Sequence, residues 1–331
     1  MGLDIKSLPK PVKAFFNGIG QVVFIENSIS GMIIFASFLI AGLEMNHWAW
    51  GDFVSWKYFI YTLIGVNVSN LTAYLMGCDR DAITAGLFGF CPNLVAIAAG
   101  VFPATWTAQW VVLFVGCILV VPTQIVINKL TNRLGLPGFT FPFIVMTWFF
   151  ILIGFQTNLF DYGSRAAAIA PFTGPSGWPA FDWLSCWTKG FEEIYVLDGV
   201  ISSFVVLAAY FWYKWDFALK ACLAVAFSVG AGFVCGVDMT LLSAGLYSYS
   251  AILVVGGLDT FCKTKINSGR YWFLFFLSLT FCVLINMAIP TILTPFALPN
   301  CTLAFVVSGW IILLIDQFMC DQAEKRALKN N

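Results

Sequence analysis

The sequence predicts an all-α polytopic membrane protein: ten transmembrane helices plus two re-entrant helices, arranged as two inverted-topology repeats around a central pore. Three observations predict it, namely the composition, the placement of positive charge along the chain, and an internal repetition of motifs. Of the 331 residues, 60% are hydrophobic, 17% aromatic and 10% charged, and the mean hydropathy is +0.86. Soluble proteins carry about a quarter charged residues, so a soluble globular enzyme is excluded. Seventeen basic residues balance seventeen acidic ones, which argues against a nucleic-acid partner. A single histidine, His47, leaves no material for histidine-rich metal sites or proton relays. The ten cysteines form no CxxC pair, and most fall in apolar runs (Cys117, Cys222, Cys235, Cys282), where they read as small buried hydrophobes. No metal and no cofactor is expected.

A membrane helix needs about 20 mostly apolar residues. Such runs occur at Asn27–Met45, Trp56–Gly77, Ile83–Gly100, Trp106–Asn128 and Phe139–Asn158. After a polar stretch they resume at Gly199–Tyr213, Phe217–Val237, Leu241–Phe261, Tyr271–Pro290 and Asn300–Phe318. Two apolar pieces, Pro11–Phe24 and Lys189–Leu197, are too short to cross and stand just before a first span, so they read as the re-entrant helices. The first twenty residues combine Lys6, Lys10 and Lys13 with Pro9, Pro11 and Gly18, without an apolar run and cleavage site, and do not read as a signal peptide.

Ten crossings from a cytoplasmic amino terminus put fourteen basic residues inside: Lys6, Lys10, Lys13, Arg80, Lys129, Arg133, Lys214, Lys220, Lys263, Lys265, Arg270, Lys325, Arg326 and Lys329. Only Lys57, Arg165 and Lys189 fall outside. The bias fits the positive-inside rule and would be scrambled by adding or dropping one middle span. The chain then divides into a first half-repeat (1–160), an external linker (161–188) rich in glycine and proline, a second half-repeat (189–320) and a cytoplasmic tail (321–331). Both ends face the cytoplasm. Short tails without a glycosylation-rich extension predict a bacterial inner membrane. Trp48, Trp50 and Trp56 read as an interfacial aromatic belt.

Three blocks recur in the same order across the linker. Gly18-Ile19-Gly20-Gln21-Val22-Val23-Phe24 through Ser30 aligns without gaps on Gly190-Phe191-Glu192-Glu193-Ile194-Tyr195-Val196 through Ser202. Ala85-Gly86-Leu87-Phe88-Gly89-Phe90 with Leu94 aligns on Ala244-Gly245-Leu246-Tyr247-Ser248-Tyr249 with Leu253. Leu136-Pro137-Gly138-Phe139-Thr140 aligns on Leu298-Pro299-Asn300-Cys301-Thr302. Five crossings per half is odd, so the second half inserts upside down. Inverted repeats place the solute site near the midplane, between the halves. A transporter or channel follows.

The repeated residues constrain the solute. Gln21, Glu193, Thr140 and Thr302 offer oxygens, while Phe90 and Tyr249, each followed four residues later by a leucine (Leu94, Leu253), offer flat apolar walls. No carboxylate ring for a cation and no arginine cluster for an anion is present. Acceptors between aromatic plates suit a small, neutral, planar molecule rich in N–H donors, such as urea or an amide.

Gly-Ile-Gly-Gln-Val-Val-Phe at 18–24 with Asn27-Ser28-Ile29-Ser30-Gly31, Ala85–Phe90, and Leu136-Pro137-Gly138-Phe139-Thr140-Phe141-Pro142-Phe143 resemble three motifs of the urea transporter family. The resemblance spans nearly the whole chain. It implies passive, channel-like transport of urea, with close amide analogues as further solutes. It also implies a homotrimer in membrane lipid, with one pore per protomer. Position by position, it implies two slots, Phe90 with Leu94 and Tyr249 with Leu253, with Val22, Phe24, Ile194 and Val196 as further apolar walls. Thr140 and Thr302 would form a narrow polar middle, and Gln21 and Glu193 would belong to ladders of N–H acceptors. The sequence departs from the family at Cys91-Pro92, where Asn-Gly is common, and at Ser250-Ala251.

Plainer readings stand beside these. Phe90 and Tyr249 fit a lipid face or core, the threonines can bond back to their own helices, and Gln21 can join two helices. Glu193 can sit at a wet interface. Glu26 and Asp198 read as caps of the helices that follow them. An ammonium channel needs paired pore histidines, and an aquaporin needs six spans and two Asn-Pro-Ala boxes; neither fits. The alternative function is an ion- or proton-coupled carrier of a small neutral amide, with Glu193, Glu26 or Asp198 carrying the proton. An enzyme is not expected, since HExxH and GxSxG are both missing.

Overall fold

The structure is a computed structural model that describes residues 8–103, 105–157 and 182–330. In chain order its helices are α1 (Lys10–Gln21), α2 (Ser28–Met45), α3 (Phe53–Leu75), α4 (Arg80–Thr84), α5 (Phe90–Val101), α6 (Trp106–Leu134), α7 (Phe141–Gln156), α8 (Trp183–Thr188), α9 (Gly190–Glu193), α10 (Val200–Tyr213), α11 (Trp215–Val234), α12 (Met239–Ser243), α13 (Ser248–Phe261), α14 (Gly269–Phe296) and α15 (Leu303–Asn330). No strand occurs among the described residues. Helices α2, α6, α11, α14 and α15 are long and apolar enough to cross a membrane, and α5, α7, α10 and α13 are shorter apolar helices. Their outward faces carry large apolar side chains, such as Val126, Val234, Ile292 and Phe318, each more than half exposed. This is a multi-pass membrane protein.

Two expected spans are broken. Residues 83–100 and 241–261 do not form continuous helices: α4 stops at Thr84 and α12 at Ser243, and α5 and α13 start afresh after a turn. The turns are built on Gly86 (φ +86°) and Gly245 (φ +77°), a left-handed conformation that costs other residues about 1–2 kcal/mol. Space is short as well. A Cβ on Gly86 would lie 2.3 Å from the Gly18 nitrogen, and one on Gly245 would lie 2.5 Å from the Gly190 nitrogen. Each break is therefore pressed against the backbone of a short segment, α1 in one case and the α8–α9 junction in the other. These segments overlap the two short apolar pieces expected from the sequence to be re-entrant.

The chain outside these breaks follows local rules. Asp79 and Asp238 cap α4 and α12 by accepting from the N–H groups of Ala82 and Thr240. Pro122 lies within α6, six residues after a widened stretch at Val112–Gly116. The capping of α2 and α10 differs from expectation. Asn27, not Glu26, accepts from the N–H groups of Ile29 and Ser30. The first N–H groups of α10 donate to Glu44, from Val200 (3.1 Å), Ile201 (3.0 Å) and Ser202 (2.9 Å). Asp198 instead pairs with Lys189 at 2.7 Å. Glu44 sits at the end of α2, so a cap made across the fold displaces the local one.

That cap ties α2 to α10, which pack along their length. Ser30 donates to the Ala209 carbonyl of α10 at 3.1 Å, and Ser37 donates to Glu192 of α9 at 3.3 Å. A single buried cluster runs from Phe15 and Ile19 through Phe143 to Tyr195, Tyr249 and Phe305. All ten cysteines are free thiols; Cys117 and Cys282 are buried as expected, whereas Cys222 is half-buried and Cys235 is exposed. The linker core and the basic residues Lys6 and Arg165 lie outside the described residues. Residues 183–188, expected in the linker, form α8, capped by Asp182, and residues 321–330 continue α15.

Candidate functional site

Two polar segments and two helix breaks meet at the middle of the fold. The last carbonyls of α4 have no helical donors, and side-chain amides of α1 supply them. Asn17 donates to the Thr84 carbonyl at 3.0 Å, and Gln21 donates to the Ala85 carbonyl at 3.0 Å. The Gln21 amide is thereby oriented, with its oxygen turned from the break. Tyr195, beyond α9, reaches back to the Ile19 carbonyl at 3.2 Å. Within a membrane-spanning body, non-helical backbone persists only where it is buried or lines a cavity.

Cavities are present on both sides. One, of about 140 Å³, is lined by Gln21, Val22, Phe24, Leu87, Phe90, Gln124, Asn128, Pro137, Gly138, Phe139, Thr140 and Phe261. The other, of about 450 Å³, is lined by Val101, Phe102, Glu193, Val196, Leu246, Tyr249, Pro299, Asn300, Cys301 and Thr302. They meet at two hydroxyls: Thr140 and Thr302, both 2% exposed, stand 2.7 Å apart, oxygen to oxygen. The loops holding the threonines are locked by a reciprocal pair of indoles. Trp148 donates to the Pro299 carbonyl at 2.9 Å, and Trp310 donates to the Pro137 carbonyl at 2.8 Å.

Backbone strain concentrates on the same walls. Phe24 (φ 62°) and Phe139 (φ 48°) line the first cavity, and Val196 (φ 60°) and Cys301 (φ 46°) line the second. A bulky or β-branched residue in the left-handed region costs on the order of 1–3 kcal/mol and persists where its surroundings fix it. Around Phe24 and Phe139 the surroundings are rings. Phe24 meets Phe139, Phe261 and Phe305 edge-on at 6.0 Å each, and Phe139 stands 4.8 Å from Phe305. Such pairs each contribute about 0.5–1.5 kcal/mol beyond area burial, enough to offset the strain.

The twelve residues singled out by sequence are distributed as follows. Gln21, Val22, Phe24, Phe90 and Thr140 share the first cavity; Glu193, Val196, Tyr249 and Thr302 share the second. Phe90 and Tyr249 thus stand on opposite sides of the threonine contact. Leu94, Leu253 and Ile194 are wholly buried in the core cluster. The Tyr249 hydroxyl donates to the Cys301 carbonyl, so the ring is held by its polar end. Cys91, at the departure from the family motif, points its thiol to the Phe139 carbonyl, 3.7 Å away. Sequence reasoning missed Gln124, Asn128, Asn286, Asn300 and the two tryptophans. The register that pairs Thr140 with Thr302 also pairs Gln124 with Asn286 and Trp148 with Trp310, a signal hidden by the apolar runs around them.

A sequence model of the urea transporter family matches residues 12–317. The chain belongs to the urea transporter family. It is a transport protein and not an enzyme. Its relatives include Urea transporter 1 of Ovis aries, 26% identical over 312 residues, covering 90% of this chain and 75% of the sheep protein. Urea transporter 1 of Rattus norvegicus is 25% identical over 309 residues with the same coverage. The bacterial setting expected from the sequence finds no support among these relatives, which are mammalian.

Proposed function

We propose that this member of the urea transporter family conducts urea passively, along a channel from the Gln21 cavity past the Thr140–Thr302 contact to the Glu193 cavity. The observation that carries the reading is the threonine contact itself: one pair of hydroxyls separates two cavities lined by acceptors and aromatic rings. Urea shed of water needs N–H acceptors on its way, each hydrogen bond contributing about 0.5–1.5 kcal/mol net. Gln21, Thr140, Thr302 and Glu193 offer them in series. The channel lies between two inverted half-repeats of five crossings and one re-entrant segment, with both chain ends cytoplasmic. The paired left-handed residues, the paired breaks and the reciprocal indoles support this arrangement, and the charge bias supports the orientation. A homotrimer with one pore per protomer, embedded in lipid, completes the proposal.

A coupled carrier is the second reading, favoured by Glu192. This carboxyl is wholly buried beside Glu193, and its Oε2 has no hydrogen-bond partner. Buried intramembrane carboxyls commonly carry protons. Purified protein in liposomes separates the two. The channel moves urea faster than empty liposomes and at one rate with or without a pH gradient. Accumulation of urea driven by the pH gradient identifies the carrier, and flux equal to empty liposomes overturns both.

A further inference from the structure

The breaks before α5 and α13 each hold a second carbonyl, at Leu87 and Leu246, and each is met by a side-chain amide from a long helix. In the first half, Gln124 of α6 donates its Nε2–H to the Leu87 carbonyl. A carbonyl only accepts, so this contact fixes which way the amide lies. Its Oε1 is turned away. That oxygen is buried without a hydrogen-bond partner, in a residue 2% exposed that lines the Gln21 cavity.

The second half reaches the same end by two residues. Asn286 of α14 donates its Nδ2–H to the Leu246 carbonyl at 2.9 Å, and its own Oδ1 accepts from Asn300 Nδ2. The orientation is passed along. Asn300, on the wall of the Glu193 cavity, is left with a buried Oδ1 that has no partner. Asparagine is one methylene shorter than glutamine, so Asn286 needs Asn300 to extend it. The first half has Gly138 where the second has Asn300. A Cβ there would lie 2.2 Å from Asn128 Oδ1, so that half has no room for the extension. Different side chains thus place one unpartnered acceptor at each cavity.

An orphaned buried acceptor loses its hydration without compensation. A solute rich in N–H donors supplies what is lacking. We propose that Gln124 and Asn300 are a second pair of solute-contacting acceptors, and that Asn286 is a positioning residue that orients Asn300. This rests on the reading of the two cavities as one urea path.

The test compares urea with acetamide, which has half as many N–H groups, in the same proteoliposomes. Gln124→Leu and Asn300→Gly are each expected to lower the urea-to-acetamide permeability ratio by roughly threefold to tenfold, the size of one net hydrogen bond. Asn286→Leu should lower it similarly, and the Asn286→Leu, Asn300→Gly double variant should be no worse than Asn300→Gly alone. A merely structural role would slow both solutes equally. An unchanged ratio in folded Gln124→Leu and Asn300→Gly overturns the inference, while Gln124→Met replaces the leucine variant if that one does not fold. Wild-type protein that moves no urea overturns the channel reading itself, a distinguishable failure.

Discussion

Gln21 and Glu193, the proposed acceptors aligned by the repeat, each line a cavity, yet their surroundings differ. Gln21 spends its N–H on the Ala85 carbonyl and keeps its oxygen for the cavity, whereas Glu193 has only oxygens and stands beside the buried Glu192. Gln21→Leu and Glu193→Leu are each expected to lower urea permeability at least about tenfold, one or more net hydrogen bonds at the crossing point. Normal flux in both folded variants would make the pair structural. Phe90→Ala and Tyr249→Ala widen different cavities, so each should lower the urea-to-glycerol permeability ratio alone, and the two effects should add in free energy. A ratio equal to wild type in both would move the aromatic filter elsewhere. These side chains were legible because they repeat within short motifs. Gln124 and Asn300 were not, since an amide inside an apolar run gains meaning only when the carbonyl it faces is known.

Helices α4 and α12 carry the clearest difference between sequence and structure. Hydropathy sees one span in residues 83–100, because Gly86 and Gly89 scarcely lower the average. The break depends on where Gly18 lies, and that is a tertiary fact. The same holds for Glu44, whose cap on α10 could not be seen from α10 alone. Gly86→Ala and Gly245→Ala combine left-handed strain with a backbone clash and are each expected to destabilise the protein by about 2 kcal/mol or more. Thermal unfolding in detergent checks this as a fall in Tm. An unchanged Tm in both would mean that the breaks are free to relax and do not anchor the short segments.

Across the whole molecule, composition and apolar runs were enough to read a multi-pass membrane protein. They did not reveal how distant segments grip one another. Trp148 and Trp310 clamp opposite loops, Tyr195 reaches into α1, and Glu44 reaches into α10. Contacts of this kind hold Thr140 against Thr302, the point where two cavities meet. The central claim is that urea passes between these two hydroxyls. The double variant Thr140→Val, Thr302→Val tests it most directly, because valine keeps the shape, and replacing both partners of a buried hydrogen bond is nearly neutral for stability. With Tm retained, urea permeability in liposomes is expected to fall at least about tenfold, the scale of one to two lost hydrogen bonds to the solute. Flux equal to wild type in the folded double variant would contradict the claim and put the path of urea elsewhere in the fold.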